Sequence, residues 1–83
     1  MKVIVILGDP KNRKSKKTHL MIELSNQKAI DDTKKLINAW KCSKAIVNIV
    51  SKGRFIRELT EQEIASEPSD LIVTNTNAHW SLL

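Results

Sequence analysis

The sequence predicts a small α+β domain, because its apolar residues are spaced as strands in some segments and as a helix in another, with turn chemistry between them. Lys2 to Leu7 is a continuous aliphatic run, Thr18 to Ser25 alternates, and Lys28 to Ser43 repeats with the 3.6-residue period of a helix. The expected architecture is a mixed or antiparallel sheet of about five strands, in the order β-β-α-β-β-short α-β, with one main amphipathic helix packed on one face. With 83 residues and 41% apolar content the chain has material for one core. It is expected to form a single domain with an irregular tail from about residue 77.

Each element has a local reason. Lys2 to Leu7 reads as a central strand covered on both sides, and Gly8, Asp9 and Pro10 break it. In Thr18 to Ser25, Leu20, Ile22 and Leu24 fall on one side and His19, Met21 and Glu23 on the other, so the second group is expected to face solvent. On a helical wheel Ala29, Ile30, Thr33, Leu36, Ile37 and Trp40 share an arc of about 120°, which places Trp40 in the core stripe. Ser25 or Asn26 can cap this helix, Asp31 and Asp32 suit its start, and Lys41 and Lys44 suit its end. Ile46, Val47, Ile49 and Val50 give Lys44 to Val50 strand chemistry, and Ser51, Lys52 and Gly53 would turn it onto Arg54 to Leu59, with Gly53 left-handed. Thr60 and Glu63 make a capping box for a short helix through about Ser66, closed by Pro68, and Leu71 to Thr76 is the last strand.

The charge is unevenly placed. Lys11, Arg13, Lys14, Lys16 and Lys17 crowd the stretch 10–17 without an acid, while the nine bases elsewhere are balanced by nine acids. Along the chain, residues 1–57 hold fourteen bases against four acids, net +10, and residues 58–83 hold five acids and no base, net −5. Two readings stay open: the halves attract each other within the fold, or the molecule carries one basic and one acidic face. If the main helix spans about one strand length, its end returns to the side of the first loop. Lys41 and Lys44 then join Lys11 to Lys17 at one cationic end, with Lys52 and Gly53 at the other.

Other chemistry is poorly supplied. Gly8 followed by Lys16, Lys17 and Thr18 lacks the second glycine and the following helix of a phosphate-binding P-loop. The only His and Cys residues, His19, Cys42 and His79, show no metal-ligand spacing, so no metal and no cofactor is expected. Glu58, Glu61, Glu63, Glu67 and Asp70 read as a solvated short helix rather than a catalytic carboxylate pair. The five aliphatics Val3 to Leu7 are far too few for a signal-peptide core or a membrane span, and a single Cys suits a reducing compartment. These features predict a cytoplasmic protein with no membrane partner and no enzymatic activity.

The segments Ile46 to Val50 and Lys52-Gly53-Arg54-Phe55-Ile56-Arg57, preceded by two strands and a helix, give residues 2–57 a resemblance to a family. The segment resembles a small domain of unknown function found in Gram-positive bacteria and their phages, which has a similar glycine-aromatic-aliphatic-Arg segment. Glu58 to Asp70 departs from that family's short C-terminal continuation. The resemblance implies a phage or mobile-element setting and brings no activity or functional residue.

The expected function is polyanion binding, foremost of nucleic-acid phosphates, by Lys11, Arg13, Lys14, Lys16 and Lys17 with help from Lys41 and Lys44. Five phosphate contacts imply a log–log salt slope of about −4.5. Absence of aromatics within the tip favours backbone contact over base stacking. His79 and Trp80 form a second candidate partner surface. Two alternatives are carried: a phage or mobile-element interaction factor that docks on an acidic host protein through a strand edge or the basic end, and an oligomer that captures a small phosphorylated nucleotide signal.

Overall fold

The structure, a computed structural model, describes residues 1–9, 11, 12 and 14–75. Arg13, the His79 and Trp80 pair, and the expected irregular tail lie outside the described residues. The elements in order are β1 (Lys2–Leu7), β2 (Thr18–Glu23), α1 (Gln27–Asn38), α2 (Cys42–Lys52), β3 (Arg54–Leu59), α3 (Glu61–Ser66) and β4 (Leu71–Thr74). The α+β class holds, with four strands among the described residues in place of about five and three helices in place of two.

The four strands form one mixed sheet in the order β3-β2-β1-β4. β2 is antiparallel to both β1 and β3, while β1 and β4 are parallel. β1 is central, as its unbroken aliphatic run requires, and Val3, Ile4 and Val5 are fully buried. On one face Val3, Val5, Ile22, Leu24 and Val73 meet Ala29 of α1 and Cys42, Ile46 and Ile49 of α2 in the main core. On the other, Ile4, Met21 and Leu59 form a smaller cluster with Ile6 and with Ile64 of α3. His19 and Met21 are therefore buried, against the expectation that their side of β2 faces water. The reason is non-local: the connection from edge strand β3 to edge strand β4 carries α3, whose Ile64 packs against that side.

The largest correction is at 44–50. The segment read as a strand is the body of α2, and β3 pairs with β2 instead of with it. Its β-branched residues have strand propensity, but Cys42, Ala45, Ile46 and Ile49 recur at i, i+3, i+4 and i+7 and all four are buried, so tertiary burial of a helical stripe prevails over propensity. Asn48 ties the two helices together. Its Nδ2 donates to the Ala29 carbonyl at 3.0 Å and to Thr33 Oγ1 at 2.7 Å, and the Thr33 hydroxyl donates to the same carbonyl at 2.8 Å.

The end of α1 is the second correction. The Asn26 side chain caps its start through Lys28 N–H and Ala29 N–H, as expected, but the helix stops at Asn38. There the Trp40 N–H donates to the Ile37 carbonyl and the Lys41 N–H to the Leu36 carbonyl, the paired bonds of a Schellman stop. Trp40 takes the left-handed position of that motif at φ 62°, where glycine is usual and a bulky side chain costs about 1–2 kcal/mol. Trp40 is 54% exposed and is no core anchor. Lys41 and Lys44 consequently flank the start of α2, not the end of a longer α1.

Gly53 ends α2 at φ −92°, ψ 176°, not in the left-handed region expected of a turn glycine. A Cβ there would lie 2.5 Å from Ile22 Cγ2 and 2.7 Å from the Ile49 carbonyl oxygen, so close packing explains the glycine. The capping box of α3 forms as read: Glu63 N–H donates to Thr60 Oγ1, and Glu63 Oε1 accepts from Thr60 N–H. No helix among the described residues is long and apolar enough to cross a membrane.

Candidate functional site

The basic loop between β1 and β2 is shaped by its own short polar side chains. Asp9 Oδ1 accepts from Lys11 N–H at 2.9 Å, and Asn12 Oδ1 accepts from Lys14 N–H at 3.1 Å. Backbone bonds from Asn12 N–H to the Asp9 carbonyl and from Ser15 N–H to the Asn12 carbonyl make two successive turns, and Ser15 Oγ accepts from Asp9 N–H. The acid nearest the loop thus holds a backbone amide. Lys11, Lys14 and Lys16 are exposed, and among the described residues none of them takes part in an ion pair. Lys17 is half-buried and already engaged in a contact of its own.

The loop root is fixed to β4. Gly8 N–H donates to Asn75 Oδ1 at 2.9 Å and Asn75 N–H to the Ile6 carbonyl at 3.2 Å. Asn75 and Thr74 also line a cavity of about 270 Å³ whose remaining walls are Trp40, Lys41, Cys42, Ser43 and Lys44. Lys41 and Lys44 therefore do stand at the loop end of the molecule, as the helix-length argument expects, although at the start of a second helix rather than at the end of the first. The start of α2 has no side-chain cap and no acid in its first turn, so its positive dipole end adds to the lysines instead of being offset. Cys42 is buried in the core and is not offered as a nucleophile.

On the opposite flank of the loop a second cavity, of about 290 Å³, is lined by Lys16, Lys17, His19, Glu58, Leu59, Thr60 and Glu61. His19 is buried there, and the sequence reading missed it because alternation alone turns it outward. Two glutamates make this flank electrically mixed, whereas the flank beside α2 carries lysines alone. No group of three or more His, Cys, Asp or Glu residues suited to a metal ion occurs among the described residues.

No protein-family model, curated protein or solved structure matches this chain.

The acidic C-terminal third has its own cationic partner. Arg57 pairs with Glu63 and, at 2.7 Å, with Glu67. The hydrogen bond from Arg57 holds the Glu63 carboxyl below the usual carboxylate range, helped by the Thr60 backbone N–H, and the same bond raises Arg57. Arg57 is thus engaged by its own acids, as the reading of attraction within the fold has it, while among the described residues Lys11, Lys14 and Lys16 take part in no ion pair.

Proposed function

We propose that this chain is a non-enzymatic binding protein whose loop end holds nucleic-acid phosphates. Lys11, Lys14 and Lys16 form the tip, Lys41 and Lys44 extend it along the start of α2, and Arg13 and Lys17 belong to the same run of sequence. The observation that carries this reading is that the exposed loop lysines and the α2 lysines share one end of the fold, without an ion pair to the protein's own acids among the described residues. Phosphate contact of this kind has little sequence preference.

Binding of labelled duplex DNA, RNA and heparin across a salt series tests it. Serine at Lys11, Lys14 and Lys16 should weaken duplex binding by about a hundredfold near 0.1 M salt and flatten the log–log salt slope by about 2.7. Equal binding by wild type and variant at low salt would sink the reading.

A second reading is favoured by the β3 edge, where Phe55 and Ile56 are exposed and a bulge leaves Ile56 without a partner in β2. There the chain would be a protein-interaction factor in the phage or mobile-element setting that the resemblance implies. Capture of one defined protein that persists after nuclease treatment, together with no salt-dependent nucleic-acid binding, would replace the first reading with this one.

A further inference from the structure

Trp40 stands where the fold would favour a glycine, is more than half exposed, and borders a cavity whose rim carries Lys41 and Lys44. A large indole at the left-handed position of a helix stop gains nothing for the turn itself. Among the described residues, its hydrophobic area is also not used in either apolar cluster. An indole so exposed can receive an external planar partner.

We propose that Trp40 is a stacking platform for an unpaired nucleobase, and that the chain therefore prefers single-stranded nucleic acid to duplex. This inference rests on the phosphate-binding reading above and names the form of the ligand. The charge around the platform selects the occupant. Two ammonium groups beside an indole suit a strand in which an exposed base is followed by its phosphate, and the loop lysines continue the positive track beyond Gly8 and Asn75. Asn75 lines the same cavity, with its side-chain Oδ1 held by the Gly8 N–H. A duplex keeps its bases stacked on each other, so it can use the lysines but not Trp40. The absence of aromatics from the loop, which by sequence argued against stacking, is answered by an aromatic supplied from the turn between α1 and α2.

The test compares Trp40→Gly with wild type on a labelled single-stranded 20-mer of dT and on a mixed-sequence duplex. Glycine suits the backbone at this position, so the variant should keep its melting temperature or gain on it, which separates loss of binding from loss of fold. Single-strand affinity should fall about tenfold, within the range of roughly 5- to 150-fold that stacking of one base supplies. Duplex affinity should stay within about twofold, and the salt slope should not change because the phosphate contacts remain. Trp40→Phe should retain most of the affinity. In a Trp80→Phe background, the remaining Trp40 emission should be quenched saturably by the dT strand.

Unchanged single-strand binding by Trp40→Gly, with binding lost in the lysine-to-serine variant, would overturn the stacking and leave the phosphate reading intact. Failure of wild type to bind any strand or duplex at low salt would overturn both. Quenching by free dTMP with the affinity of the 20-mer would also overturn the proposal, since a mononucleotide and not a strand would then be the ligand.

Discussion

The loop end and the α3 flank are both rich in charge, yet they dispose of it in opposite ways. At the flank, Arg57 reaches two carboxylates, Glu63 and Glu67, and Glu63 also closes a capping box with Thr60, so cation, anion and helix start neutralise one another. At the loop end, the nearby acid Asp9 serves a backbone amide, and α2 begins without an acid or a cap. The difference teaches that net charge says little about available charge. An arginine folded onto its own glutamates is local stitching, whereas lysines on a polar-tethered loop leave a field that a partner can use.

The contrast can be broken or sharpened at the flank. Replacing Thr60 with Ala removes the α3 cap and should cost about 1 kcal/mol of stability, read by urea unfolding, while nucleic-acid affinity is unchanged; a matching loss of affinity would show that the two regions are not independent. Acid provides a gentler probe. Glu63 is held below its ordinary value in the folded chain, so its contribution is present above the unfolded carboxylate range and is lost as pH falls through that range to the lower folded value. Glu63→Gln should therefore be less stable than wild type at neutral pH and show a shallower decline on acidification, measured by thermal unfolding from pH 7 to pH 3. The smallest effect should come from Arg57→Ser, which deletes a full positive charge yet should alter DNA affinity by no more than about twofold. A loss comparable to that of Lys14→Ser would mean that Arg57 belongs to the binding surface after all.

Sequence reading succeeded where the determinants are close together along the chain. Asn26 and the Thr60 and Glu63 pair announce their helix starts within four residues, and the aliphatic run of β1 announces a covered strand. It failed where distant packing decides. Ile46, Val47, Ile49 and Val50 favour a strand by propensity, and the helical stripe from Cys42 through Ile49 becomes decisive only against Val3, Val5 and Val73. Trp40 continues the apolar wheel of α1, so nothing local says that the helix stops two residues earlier, without glycine. His19 and Met21 appear solvent-facing until α3 covers that side of the sheet. Of the candidate site, the lysines could be read from sequence and their shared end followed from element length. The exposed tryptophan among them could not.

The seam at Gly53 has a mechanical corollary. With the Ile49 carbonyl on one side and Ile22 on the other, it leaves space for a hydrogen and nothing bulkier, so α2 is seated at its rear against β2. Sliding that rod lengthwise would drive it into β2. Any side chain larger than a hydrogen at this point would push α2 away from β2, so the helix keeps its seat on the sheet only while glycine holds the seam.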